Sequence, residues 1–245
     1  MTGGPAAHPG GGDAVDSGRG GIAGPGHEGV ADAGAFLARL VRLDPAGVVR
    51  MRPLADVGRT ALWARLPWDV LVVRTVTGRA PADVTVVAAE LLARLAAADP
   101  ALPPARDDRW RWPLPPAASR PVEVLPAAEL RRIAEAAAGT LRTAAAEGVG
   151  GRAVGQRVLR DALLDHVAVT VTPDAAPTEP VEITQRLVQG LVRMGFLGPA
   201  GAGGAGEVQV RVAGRWVGLV GPYGAAWSRK VSDLAIRPAR DQPKG

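Results

Sequence analysis

The chain has 245 residues, 47% of them hydrophobic and only 4% aromatic, with 32 Gly, 22 Pro and no Cys. That length can bury one or two cores, and the missing cysteines exclude disulfides, thiolate nucleophiles and Cys-ligated zinc or iron–sulfur centres. The 29 Lys and Arg against 24 Asp and Glu leave a net charge of +5, but Lys230 and Lys244 are the only lysines, and an Arg excess beside abundant Ala, Gly, Val and Pro is a GC-rich genome's signature.

Residues 1–33 contain eleven Gly, three Pro and few aliphatic side chains, too little apolar surface to offset the entropy of ordering, so a disordered leader is expected. There is neither a basic segment followed by an apolar one at the N-terminus nor a long apolar run, which predicts a cytoplasmic protein without membrane contact. From residue 34, Phe36, Leu37, Leu40 and Val41 recur at helical spacing until Asp44-Pro45 ends the helix. Three strand-like runs follow at 48–52, 59–66 and 70–76. In the second, Leu62, Ala64 and Leu66 share one face while Ala61, Trp63 and Arg65 share the other. Asp83 is placed to cap a helix to Ala98 whose stripe is Val84, Val87, Ala88, Leu91, Leu92 and Leu95. Residues 34–98 therefore read as an α-β-β-β-α domain.

Residues 99–126 carry eight prolines, a density that argues against regular elements and predicts a linker. Trp110 and Trp112 sit within it, in Asp107-Asp108-Arg109-Trp110-Arg111-Trp112-Pro113, either as indoles that plug the cleft between two domains or as part of an aromatic and Arg surface that stacks on a base or a Pro-rich ligand. The second half, 127–236, reads as a helix at 127–146, a helix at 152–165 burying Val154, Val158, Leu159, Ala162 and Leu163, a strand at 167–172, an extended piece at 181–183, and a helix from Thr184 to Met194 ended by Gly195. Glu207 to Val220 predicts a hairpin. With Ala213-Gly214 as the turn, Val210 faces Val217, Val208 faces Leu219 and Arg211 meets Trp216. Residues 237–245 are expected to be a loose tail. The fold class is α+β: a small antiparallel meander domain with flanking helices, then a helical domain ending in a β-hairpin.

Candidate chemistry is sparse. Gly201 to Gly206 satisfies the dinucleotide-loop spacing, but it follows a helix and precedes a strand, the reverse of what a pyrophosphate site needs. His166 is the one histidine outside the leader, at a helix-to-strand junction with no nucleophile motif, so a structural role is its default. No catalytic residue, metal ligand or cofactor site is assigned.

The helix over 184–194, the Gly195-Phe196-Leu197 that follows and the 207–220 ribbon resemble the recognition helix and wing of winged-helix DNA-binding domains. The resemblance implies that Gln185, Arg186, Gln189 and Arg193 face a groove, with Arg211, Arg215, Arg229 and Lys230 touching backbone from the ribbon side. Arg59 to Pro67 and Arg186 to Leu197 give the whole chain a look similar to actinobacterial two-domain proteins of the domain-of-unknown-function kind. The leading functional expectation is a non-catalytic binding or interaction protein with a protein or nucleic-acid partner. A winged-helix-like nucleic-acid binder and an enzyme with an Asp/Arg pocket are the alternatives.

Overall fold

The computed structural model of the chain describes residues 27–55, 58–147, 155–172, 179–199 and 206–230. The expected leader, apart from its last residues, the glycine stretch before residue 206 and the expected C-terminal tail lie outside these. Helix α1 (His27–Leu43) leads into β1 (Val48–Pro53), β2 (Arg59–Arg65), β3 (Leu71–Thr77), β4 (Val84–Val87) and α2 (Ala88–Ala96). A Pro-rich strap with one 3-10 turn (Asp107–Arg109) then reaches β5 (Arg120–Pro126), α3 (Ala127–Glu147), α4 (Gln156–Asp165), β6 (Val167–Val171) and β7 (Val181–Thr184). Helix α5 (Gln185–Arg193), β8 (Glu207–Ala213), β9 (Trp216–Gly221) and β10 (Gly224–Arg229) complete the order. The fold is α+β, with the expected antiparallel meander, flanking helices and C-terminal hairpin strands.

Eight of these strands form one antiparallel sheet in the order β4-β1-β2-β3-β10-β9-β8-β5, while β6 and β7 pair by themselves. The join between the early and late strands is β3 with β10, where Val73 faces Ala225, Val72 faces Ala226 and Leu71 faces Trp227. One face of the sheet is aliphatic. Leu62, Ala64, Val72, Ala226, Leu219 and Val210 lie under α1, α2, α3 and α5 in a single core, as the alternation in β2 requires. Phe36 of α1 and Phe196, just past α5, stack in that core with ring centroids 6.4 Å apart and planes 7° apart.

Several local expectations are corrected. The helix expected from Asp83 starts at Ala88, because Val84-Thr85-Val86-Val87 is a β-branched run whose side chains favour a strand and pairs with β1. Asp83 is no cap: its carboxylate accepts from Arg50 Nε at 2.7 Å and lies 3.0 Å from Arg52 Nε. In the 207–220 hairpin the register differs by one residue on each strand, pairing Ala213 with Trp216, Val212 with Val217 and Val210 with Leu219. Gly214, at φ +58°, takes the first position of the two-residue turn, a place where positive φ suits glycine and matches strand twist. The linker reading fails at its end, where residues 120–126 pair with β8. Pro121 and Pro126 are tolerated there because β5 is an edge strand. Helix α1 starts at His27, ahead of the expected order, and brings Ala33 into the core. In α4, Val158 is 66% exposed and Ala162 is also exposed, whereas Leu164 is buried, so this short helix turns a different side inward than its spacing suggests.

The buried Thr60 closes the β2–β3 end: its hydroxyl donates to Gly78 O at 2.7 Å and accepts from Ala80 N at 2.8 Å. Thr60→Val keeps the shape and strips both bonds, leaving a carbonyl and an N–H unpaired, so urea unfolding should register a loss of about 2 kcal/mol.

Candidate functional site

The second face of the sheet has a different chemistry. Strand alternation places Arg50, Trp63, Arg65, Trp216 and Trp227 away from the helices, and the strap crosses over them. Leu71, Ala213, Trp216, Ala225 and Trp227 form a separate buried cluster, with Trp63, Trp110, Trp112 and Leu114 packed against it. Five of the six tryptophans thus share one layer. Trp110 and Trp112 meet edge to face, centroids 5.7 Å apart at 89°, and the Trp110 indole N–H donates to Trp112 O at 2.8 Å. The Arg50 guanidinium lies 5.9 Å from the Trp110 ring centre and that of Arg65 4.6 Å from the Trp112 ring centre, cation–π contacts that fix both indoles. Both are half-buried, against residues from the early and the late strands alike.

The strap also seals the β4 edge of the sheet. Arg106 N donates to Thr85 O at 2.7 Å, and Thr85 N donates to the Asp107 carboxylate at 2.7 Å. A strand edge left open would invite pairing with another chain. Beyond this seal, the strap, the α1–β1 turn and the β2–β3 turn enclose an open cleft of about 380 Å³. Its chemistry is that of Asp44, Arg65, Asp108, Arg109, Arg111 and Trp112. Arg109 donates to Ala46 O at 2.7 Å and pins the strap to the α1–β1 turn. Asp44 accepts from Ala46 N at 3.1 Å, the short side-chain bond that shapes this turn. Arg65 pairs with Asp69, and burial lowers the pKa of its guanidinium from the usual arginine value. By contrast, the hydrogen bond that Arg50 donates to the Asp83 carboxylate raises the pKa of the Arg50 guanidinium.

Three guanidiniums stand beside an indole, with Asp44 and Asp108 in the cleft and Asp69 already on Arg65, so what the cleft offers an anionic group is directed N–H donors, above all those of Arg111, unpaired among the described residues, rather than an excess of positive charge. One carboxylate is already engaged in shaping the turn. Among the described residues no three His, Cys, Asp or Glu side chains come together as a metal site would need, and no helix is long and apolar enough to cross a membrane. The alternating Arg109-Trp110-Arg111-Trp112 is the signal in the sequence for an aromatic and Arg surface here, and Arg65 is the member of the cleft that this signal does not reach.

The winged-helix resemblance does not hold. Helix α5 lies between the sheet, at β9 and β10, and helices α3 and α4, so both of its sides are covered. Gln185 and Gln189 are 2% and 9% exposed. Gln189 donates to Ala134 O at 3.3 Å and accepts from Arg193 Nε at 3.2 Å. Arg186 pairs with Asp165 and donates to Trp68 O at 2.8 Å, while Arg193 lies 5.6 Å from the Trp68 ring centre. The ribbon is no free wing, since β5 flanks β8 and β10 flanks β9. Arg211 donates to the Ser119 hydroxyl and carbonyl at 2.9 and 2.6 Å, and Arg215 to Lys230 O at 3.2 Å. Arg229 and Lys230 are exposed at the end of β10. His166 is exposed at the end of α4 and gives its backbone carbonyl to Gln185 N at 2.8 Å. The eight residues expected to line one nucleic-acid face are therefore spread over a buried helix and two strand ends.

Two family models match the chain. Residues 21–112 match "Domain of unknown function (DUF8010)" and residues 114–233 match "Domain of unknown function (DUF8185)". The two matches meet in the strap. The DUF8010 match holds β1 to β4 and the DUF8185 match holds β5 to β10, so the β3–β10 pairing joins the two within one sheet. No curated protein matches the chain. Among solved structures, the DNA polymerase III subunit beta from Pseudomonas aeruginosa is 12% identical with a TM-score of 0.49, over 88% of this chain and 67% of that one. A sliding clamp from Bartonella birtlesii is 14% identical at 0.48, over 86% and 68%. The beta sliding clamp of C. crescentus is 13% identical at 0.45, over 85% of this chain and 65% of that one. Similarity this remote says nothing of what this chain binds.

Proposed function

We propose that the chain is a non-catalytic binding protein and that the strap cleft receives a carboxylate carried by an extended peptide segment of a protein partner. The observation that carries this reading is the convergence of Arg65, Arg109 and Arg111 from two different chain segments on one open cleft beside Trp112. Guanidinium forks match carboxylates in geometry as well as charge. Asp44 and Asp108 in the same cleft disfavour the continuous negative charge of a nucleic-acid backbone, yet they accept the N–H groups that an extended peptide presents. A cleft of about 380 Å³ is within the size range of ligand sites in general, roughly 300 to 1,000 Å³.

The test uses the full chain on an array of random-sequence peptides, with Arg111→Glu as the variant. Arg111 is exposed and makes no hydrogen bond or ion pair with the described residues, so the change leaves the fold intact. Captured peptides should be enriched in Asp and Glu, and the variant should bind them about tenfold more weakly, the effect of reversing one charge at a contact. An array that captures nothing, or captures the same peptides with both proteins, removes the reading. So does tight binding of duplex DNA that Arg111→Glu abolishes.

A further inference from the structure

A second concave surface lies away from the strap, between α3 and α4. It is a groove of about 600 Å³ lined by Leu141, Arg142, Ala145, Arg157 and Arg160. Among the described residues its charge is engaged only weakly. Arg142 is exposed and makes no hydrogen bond or ion pair with the described residues. Arg157 and Arg160 share one carboxylate, that of Asp161, at 3.9 and 3.5 Å, and their side chains are 88% and 57% exposed. Ion pairs this long and this exposed contribute almost nothing to folding. Three guanidiniums therefore surround a floor of Leu141 and Ala145, with Asp161 the one acid paired to them among the described residues.

We infer that the α3–α4 groove is a docking surface for an acidic amphipathic helix of a protein partner. The cations are the complement of a negatively charged face, and the apolar floor is the complement of a leucine stripe running along the same helix. That arrangement is the helix-in-groove mode of recognition, in which anchors at helical spacing enter an apolar trough. Nucleic acid fits the surface less well. None of the described residues that line the groove carries an aromatic ring to stack a base, and an apolar floor between the cations contributes nothing to a phosphate backbone. The surface differs from the strap cleft in its residues, its place and its ligand's shape, so it stands or falls independently.

The probe is a fluorescein-labelled helical peptide of roughly 18 residues, long enough to hold a helix on a groove, with Leu at helical spacing and Glu elsewhere. A scrambled peptide of the same composition, with the leucine stripe broken, is its control. Anisotropy is followed with the full chain and with Arg142→Glu/Arg157→Glu, both changes at exposed positions. The helical peptide should bind, lose at least about tenfold in affinity in the double variant, and weaken as salt rises. The scrambled peptide should bind several-fold more weakly, since charge without register leaves the floor unfilled. Equal binding of both peptides, equal binding by wild type and variant, or no binding at low salt overturns the proposal. Duplex DNA that binds more tightly than the helical peptide and is lost in the variant also overturns it. The same titrations are run in the Arg111→Glu background, where capture of acidic peptide by the strap cleft is weakened; there the preference for the helical over the scrambled peptide and its loss in Arg142→Glu/Arg157→Glu should both persist, and their disappearance overturns the proposal.

Discussion

Phe196→Ala should remove about 3 to 5 kcal/mol of folding free energy, the range for truncating a fully buried phenylalanine. Phe196 is 0% and Phe36 is 1% exposed, so neither cavity can relax toward solvent. The loss is large against the roughly 5 to 15 kcal/mol that holds a domain folded. The two rings come from opposite ends of the chain, one on α1 and one after α5. A double-mutant cycle with Phe36→Ala should therefore recover a coupling of about 0.5 to 1.5 kcal/mol from the ring pair. Urea unfolding followed by circular dichroism and by tryptophan fluorescence gives both numbers. If the early and late strands share one cooperative sheet, the two signals will move together in each variant. Two transitions, with Phe196→Ala shifting only one of them, would mean that the β3–β10 join does not couple the halves.

What could be read from residues and what could not divide along physical lines. Helices α1, α2, α3 and α5 and the meander β1 to β3 are legible because each places a run of aliphatic side chains at one period on a single face, as Leu62 and Ala64 do in β2 and Leu66 just after it. Strand β10 was invisible. Its sequence, Gly-Ala-Ala-Trp-Ser-Arg, has no alternation and is built from poor strand formers, and only its neighbours β3 and β9 make it a strand. The Val84 to Val87 run satisfies a helical stripe and a strand equally, and pairing with β1 decides between them. On α5 the aliphatic stripe accounts for one side only, which by itself points the polar residues outward. A helix covered on two sides buries its polar positions as well, and Gln189 meets that condition by hydrogen bonding to Ala134 O. The strap cleft escaped notice for a related reason. Arg65 is far in the chain from Arg109 and Arg111, and what brings it to them is Trp112 packing on a tryptophan layer assembled from early and late strands.

The join itself rests on one residue without a side chain, and Gly224→Ala should disrupt it at a cost of about 3 kcal/mol. Gly224 begins β10 at φ +152°, and a Cβ there would stand 2.6 Å from Phe196 Cε1 and 2.7 Å from Val73 O. Two clashes act together, one with a ring and one with the backbone of β3, the strand to which β10 must pair. The ring clash vanishes when Phe196 is alanine, but the carbonyl clash stays. Gly224→Ala should accordingly cost less in the Phe196→Ala background than in the wild type, and still cost more than about 1 kcal/mol there, the scale of a strained backbone position. Stability curves for the four proteins of this cycle measure both quantities. A cost that falls to zero once the ring is gone would show that the Val73 carbonyl yields easily, and that β10 approaches β3 less closely than the sheet described here requires.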